Sequence, residues 1–210
     1  MTAEERRDFN KDSQQWDAEM FRVNLANGVA EAIIQAIKPT KDMAALDFGC
    51  GTGLVTLRLQ PLVGSIMGAD SSQGMLAVLE EKITTQKLTN VRTALVDFEK
   101  GDRIAEKFHL ILCSMALHHV PDTAALFRLW YEMLLPGGRL CFADLDTEDG
   151  SFHSNTTGVF HHGFDREHLS KLLKSIGFNA VRHVTATTVS RNIEGKGRCE
   201  FPVFLIVADK

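Results

Sequence analysis

The 210-residue sequence is poor in the features that mark several protein classes. It has four cysteines, Cys50, Cys113, Cys141 and Cys199, far apart and with no C-x-x-C pair. That spacing argues against a disulfide framework and against cysteine metal sites. Three of the four fall in or beside apolar, strand-like runs, where a thiol behaves as a small hydrophobe. Reduced, structural cysteines in a cytoplasmic protein are the expectation. No apolar stretch has the length needed to span a bilayer. The opening residues, MTAEERRDFNKDSQQW, are charged and polar, unlike a signal peptide. Positive charge is also short: 23 Lys and Arg stand against 27 Asp and Glu, for a net charge of −4. A chain of that sign has no global field drawing it to phosphate backbones, which disfavours bulk nucleic-acid binding.

No repeat, low-complexity tract or domain-separating linker interrupts the chain, so residues 1–210 read as one domain. Apolar runs alternate with segments of helical period, the pattern of a parallel sheet covered on both faces. A first helix is expected over residues 22–38, with Val23, Ala26, Ala30, Ile33, Ile34 and Ile37 as its apolar stripe and Pro39 as its stop. Strands are expected at residues 43–47, 65–70, 91–96, 108–114 and 139–145. Ser71 or Ser72, Asp122 and Asp165 are candidate N-caps of the intervening helices. Pro136-Gly137-Gly138 reads as a turn into the fifth strand. Two final β-rich runs, 180–189 and 201–208, flank a polar loop over 190–200 and suit an antiparallel hairpin. Its basic residues Arg191, Lys196 and Arg198 read most simply as a solvated tip, though an anionic acceptor could use them. Residues 150–163 lack a period and are rich in His, Ser, Thr and Gly; they read as a loop over a site.

The most informative stretch is Leu46-Asp47-Phe48-Gly49-Cys50-Gly51-Thr52-Gly53. Strand, glycine turn and helix start come in the order that builds a nucleotide site at the carboxyl end of a strand. Glycine admits positive φ and lets a ligand approach the backbone. Asp70 ends the next strand, where a carboxylate can accept hydrogen bonds from both hydroxyls of a ribose. Dinucleotide-binding loops follow G-x-G-x-x-G/A, but Leu54 occupies the third small position, which argues against them.

G-x-G-x-G with Asp47 two residues before its first glycine resembles motif I of the class I S-adenosylmethionine-dependent methyltransferases. Asp70 matches that family's ribose-binding acid, and Val96-Asp97-Phe98 resembles its adenine-binding turn. Leu117-His118-His119-Val120-Pro121-Asp122 and Leu134-Leu135-Pro136-Gly137-Gly138-Arg139-Leu140 are similar to segments of the subgroup that includes the ubiquinone and menaquinone biosynthesis methyltransferases. His109 departs from the Asp that the family often carries there. Cys113-Ser114-Met115-Ala116 lacks the Asn/Asp-Pro-Pro-Tyr of enzymes that methylate adenine or glutamine amide nitrogens.

The resemblance implies a doubly wound α/β domain with a seven-stranded, mostly parallel sheet and an antiparallel last strand. It implies S-adenosylmethionine as cofactor, contacted by Asp47, Gly49, Cys50, Gly51, Gly53, Asp70, Ser71, Met75, Asp97, Phe98 and Cys113. Residues 1–38 are expected to form a helical lid region carrying Trp16, and 150–164 an acceptor-side loop. A small-molecule acceptor fits the acidic charge and the lack of an appended recognition domain. A protein or RNA methyltransferase and a non-catalytic S-adenosylmethionine-binding module remain the alternatives. Five histidines, His118, His119, His153, His161 and His162, are expected near the methyl end. His119, His161 and His162 are the candidate general bases, because imidazole accepts a proton near neutral pH; His118 reads as structural. No acid stands at ligand spacing to make these histidines a metal site. Transfer from a sulfonium can also proceed by alignment alone.

Overall fold

The alternation of apolar runs and helical periods resolves into a single sheet in the computed structural model, which describes residues 7–210. In chain order the elements are α1 (Met20–Ile37), β1 (Ala44–Phe48), α2 (Leu54–Leu59), β2 (Ser65–Asp70), α3 (Gln73–Thr85), β3 (Val91–Leu95) and β4 (Phe108–Ser114). They continue with α4 (Thr123–Met133), β5 (Leu134–Leu145), α5 (Arg166–Ile176), β6 (Asn179–Ile193) and β7 (Gly197–Asp209). The strand order is β3-β2-β1-β4-β5-β7-β6. The first five strands are parallel, and β7 runs antiparallel to both β5 and β6. This is the expected doubly wound fold. Its strand order reverses between β1 and β4, the switch point at whose carboxyl edge ligands bind in open α/β sheets.

Two apolar layers hold the sheet. On one face Leu25, Val29 and Ile33 of α1 join Val55 and Leu59 of α2 over Leu110, Leu112 and Leu205. On the other, Phe127 and Trp130 of α4 and Leu173 of α5 pack on Ile111, Phe142 and Phe204. Truncating such a buried Leu, Ile or Phe typically costs about 2–5 kcal/mol. Ala26, Ala30, Ile33 and Ile37 of the expected α1 stripe are buried, but Leu25 and Val29 join them in place of Val23 and Ile34. An i, i+4 row centred on Leu25 and Val29 presents more apolar surface to the sheet. The helix ends on Lys38 in the left-handed conformation (φ 52°), just before Pro39. Three expected caps are made: Ser72 accepts from Met75 N, Asp122 from Ala125 N and Asp165 from His168 N.

The C-terminal half differs in two places. β5 begins at Leu134, so Pro136-Gly137-Gly138 is an irregular strand entry rather than a turn before it. Lys210 explains this, since its backbone pairs with Gly137 and Gly138 and extends the ladder. The expected 190–200 loop is a tight hairpin, with Ser190 opposite Glu200 and Ile193 opposite Gly197. Gly195 and Gly197, at φ 75° and 76°, allow the reversal over so few residues. Among the described residues no helix is long and apolar enough to cross a membrane.

Candidate active site

The glycine turn after β1 has positive φ at Gly49, Gly51 and Gly53 (66°, 54° and 82°). The three glycines answer different needs. A Cβ at Gly49 would stand 2.5 Å from Ala116 Cβ, and one at Gly53 would stand 2.4 Å from Leu79 Cδ1. Both exist for packing. At Gly51 the nearest atom is Met75 Sδ at 3.9 Å, so its bare backbone faces open space. Gly51 N–H donates to Asp70 Oδ2 at 2.8 Å, and Ser72 N–H donates to Asp70 Oδ1 at 2.8 Å. Asp70 thus ties the loop to the start of α3. Burial raises the Asp70 carboxyl above its usual range, against the pull of the Ser72 and Gly51 N–H groups.

Asp47 lies beneath the loop, 1% exposed, and accepts the Thr56 hydroxyl proton. Its carboxyl is pushed up to about 7, chiefly by burial and further by the neighbouring Asp70, while Thr56 opposes the shift. Among the described residues no cation pairs with it.

A cavity of about 600 Å³ follows the carboxyl edge of the sheet. Val96, Asp97 and Phe98 line it beyond β3, Asp70 and Ser71 beyond β2, the glycine turn beyond β1, and residues 114–116 and 118–122 at the end of β4 and beyond it. Asp47, Gly49, Cys50, Gly51, Asp70, Ser71, Met75, Asp97 and Phe98 therefore share one chamber. Gly53 and Cys113 do not border it. Gly53 is committed to Leu79, and Cys113 is fully buried in the core around Phe142. Burial holds the Cys50 and Cys113 thiols well above their ordinary range, so neither is a nucleophile.

The histidines divide. His118, His119 and His153 line the cavity with ring centroids 4.3 Å (His118–His119) and 4.7 Å (His118–His153) apart. His161 and His162 stand outside it. His161 Nε2 donates to Val120 O at 3.0 Å, and His162 is half exposed, 3.6 Å from Glu148. Together with Glu148 N–H to His162 O and Phe160 N–H to His118 O, they fasten the loop that spans 146–164.

His118 is 2% exposed and its Nδ1 lies 2.8 Å from Asp144 Oδ1. Asp144, fully buried, also receives the backbone N–H groups of His118 and Leu145. Burial alone would raise its carboxyl, but the His118 imidazole and those N–H groups hold it below the usual value. His119 Nδ1 donates to Gly158 O at 2.6 Å. Burial first, then the neighbouring His118, lowers His119 to about 4; burial, His118 and His119 lower His153 to about 3. His153 Nε2 is buried without a hydrogen-bond partner. Sequence reasoning passed over the Asp144–His118 pair. Its available signal was one carboxylate inside the apolar run Leu140-Cys141-Phe142-Ala143-Asp144-Leu145. Among the described residues no group of three or more His, Cys, Asp or Glu is placed to hold a metal.

The N-terminal segment rests on this site; residues 1–6 of the expected lid region lie outside the described residues. Asn10 Oδ1 accepts Gly74 N–H (2.7 Å) and Ser72 Oγ–H (3.0 Å) at the start of α3. Asp17 accepts the Thr52 hydroxyl (2.6 Å) and Lys82 Nζ (2.5 Å), and Lys82 also donates to Thr52 O (2.7 Å). Phe9 and Trp16 line the cavity from this segment, and Phe9 meets His119 edge-on at 5.1 Å.

Comparison with known proteins supplies the context. Residues 45–138 match the family model described as a methyltransferase domain. An uncharacterized methyltransferase of Schizosaccharomyces pombe is 35% identical over 148 residues, 63% of this chain and 52% of the relative. A ubiquinone biosynthesis O-methyltransferase of Coxiella burnetii is 29% identical over 146 residues, 68% of this chain and 62% of the relative. The chain thus spans about half to three fifths of these relatives' lengths. The DhpI–S-adenosylhomocysteine complex superposes with a TM-score of 0.72 at 18% identity, covering 96% of this chain and 92% of that one. A phosphoethanolamine N-methyltransferase of Haemonchus contortus, solved with S-adenosylmethionine, gives 0.71 at 17% identity over 97% of this chain and 59% of its own. These two likenesses speak for the fold. The segment matched to the methyltransferase-domain model covers the glycine turn, Asp70, Asp97 and the turn after β4, the stretches whose motifs resemble the S-adenosylmethionine-dependent methyltransferases.

Proposed function

We propose that this chain transfers the methyl group of S-adenosylmethionine to a small-molecule acceptor. The observation that carries the reading is the continuity of one chamber from the Gly51–Asp70 cradle to the His118 cluster. The cradle suits the cofactor. Gly51 presents open backbone, and a carboxylate has about four acceptor sites, so Asp70 retains capacity for ribose hydroxyls beside its two N–H partners. Phe98, packed against Phe48 with centroids 5.1 Å apart, offers an apolar wall for a purine, next to Asp97. When bound, the cofactor supplies a methyl group on a sulfonium, an excellent leaving group, so alignment is the protein's main task.

The chain's own contribution at the acceptor end is a proton site. With Nδ1–H donating to Asp144, His118 keeps Nε2 as an acceptor, and the buried carboxylate stabilises the imidazolium that forms. His119, lowered to about 4, is neutral at physiological pH and a weak base. Of the three bases expected from sequence, it alone borders the chamber, and His118 is the better placed proton acceptor. The segment 7–18 then serves as a lid, and the 150–164 loop, through Phe152, His153 and Ser154, forms the acceptor wall. Walls on both sides favour a small molecule over a folded polymer. Calorimetry with S-adenosylmethionine and S-adenosylhomocysteine, followed by incubation with methyl-labelled cofactor and fractionated cell extract, tests the reading. Label should appear in the small-molecule fraction. Label in protein or RNA alone would move the acceptor to those classes, and binding without turnover in any fraction would make the chain a cofactor-binding module.

A further inference from the structure

The acceptor end of the chamber holds more arginine than its carboxylates answer. Arg7, Arg22 and Arg191 all line it, in a chain of net charge −4. Arg7 is paired, its Nε 3.0 Å from Asp12 Oδ2. Among the described residues neither Arg22 nor Arg191 makes an ion pair; Glu19, whose field reaches Arg22, forms no salt bridge with it. Both guanidinium groups are instead laid on aromatic rings. Arg22 stands 3.9 Å from the Trp16 ring centroid and donates to Trp16 O at 3.5 Å. Arg191 lies 5.4 Å from the Phe21 centroid and 5.3 Å from that of Phe152, and donates to Phe152 O. Stacking fixes each fork while leaving most of its five N–H donors unspent.

The three arginines bear on one another and on the histidines beside them. Burial lowers Arg22, Glu19 and Asp12 oppose, and the charges of Arg7 and Arg191 lower it further. Arg191 also bears on His153, and Arg7 on His119, after the larger effects of burial, the neighbouring histidines and the opposing charge of Asp144. An anion in the space between would relieve all of these at once. Planar, pre-ordered guanidinium forks bind carboxylate and phosphate in bidentate fashion.

We propose that the methyl acceptor carries an oxyanion, a carboxylate or a phosphate, on an aromatic or otherwise flat apolar body, and that Arg191, assisted by Arg22, holds that oxyanion beside Phe21, Phe152 and His153. This rests on the methyltransferase reading given above. S-adenosylmethionine brings one carboxylate of its own, which can answer one arginine. Arg191, reaching in from β6 beside the 150–164 loop, is the arginine on the acceptor side.

The test uses the full chain saturated with S-adenosylhomocysteine, so that the cofactor's carboxylate has already taken its place. Benzoate and phenyl phosphate are titrated at low salt against their neutral counterparts benzamide and phenol, by calorimetry and tryptophan fluorescence. At least one anion should bind about tenfold or more tightly than its neutral counterpart, as charge-assisted hydrogen bonds imply. Arg191→Gln should erase that preference, Arg22→Gln should reduce it, and Arg191→Lys should keep part of it. Affinity of Arg191→Gln for S-adenosylhomocysteine should match the wild type, which also shows that the variant is folded. Equal binding of charged and neutral probes, no binding of either anion to the loaded protein, or binding confined to the cofactor-free protein would overturn the proposal. Failure of S-adenosylhomocysteine itself to bind would instead overturn the methyltransferase reading.

Discussion

Asp47 offers a quantitative test, because the fold holds it at a cost that varies with pH. Its carboxyl titrates at 3.8 when free and at about 7 in the fold, where burial disfavours the charge and Asp70 adds repulsion. Below pH 3.8 the group is neutral in both folded and unfolded chains. Between 3.8 and about 7 the unfolded chain sheds the proton and the fold keeps it, so stability declines as pH rises. Above about 7 the fold carries the buried charge and the loss is complete. A shift of this size corresponds to about 4 kcal/mol, an upper figure for so buried a group. Asp47→Asn removes the titration while its amide oxygen can still accept the Thr56 hydroxyl. The variant should gain stability over wild type progressively between those two pH values and hold the gain above them. For a chain of this length the gain at about pH 8 amounts to roughly 10 °C in Tm. Thermal denaturation across that pH range measures it directly. Parallel curves for the two proteins, or a variant less stable at pH 8, would refute the reasoning.

A carboxylate kept at such cost points to function rather than stability. S-adenosylmethionine bears a sulfonium charge that S-adenosylhomocysteine lacks, and no cation within the described residues neutralises Asp47. Near pH 7 the binding of S-adenosylmethionine should therefore expel more of a proton than the binding of S-adenosylhomocysteine does. Calorimetry in buffers of different ionisation enthalpy reads that release, and Asp47→Asn should abolish the difference.

Asp70→Ala removes the acceptor for Gly51 and Ser72 as well as the proposed ribose site, so affinity for S-adenosylmethionine should fall at least about tenfold by calorimetry. Gly51→Val places a branched side chain at φ 54° on the chamber wall; binding should vanish while circular dichroism still reports a folded α/β domain. His118→Gln should lower turnover by about a hundredfold to ten-thousandfold with cofactor affinity intact, whereas His161→Gln should leave both unchanged. Asp17→Ala frees Thr52 and Lys82, so amide exchange across residues 9–18 should quicken and cofactor affinity should drop. Unchanged exchange would make the segment a fixed part of the core.

The geometry of the proposed cofactor half of the site was legible because it is local. A glycine turn directly after a strand, and an acid at the end of the next, specify backbone geometry within one βαβ unit, and β1, α2 and β2 deliver Asp47, Gly51 and Asp70 to one edge. The acceptor half was not, because its partners are far apart in sequence. Asp144 meets His118 only when β5 pairs with β4, Cys113 opposite Phe142 and Ser114 opposite Ala143. His161 and His162 lie on the expected loop, but which way each ring turns depends on what closes the loop. Here the carbonyl of Val120 and Glu148 hold them outside the chamber.

Arg191 shows how much hangs on register. Side chains alternate along a strand, and Val189 and Ile193, two residues to either side, pack against the apolar core, so Arg191 shares their inward face. The hairpin fixes that phase: three residues, Glu194 to Lys196, turn between Ile193 and Gly197, and the pairs as far as Thr187 opposite Val203 follow. One residue more in the turn would send Ser190 and Asn192 inward and Arg191 to solvent. Composition alone favours a solvated tip for a stretch with three basic residues. Only the turn geometry, set by two glycines at positive φ, brings one of the three to the chamber.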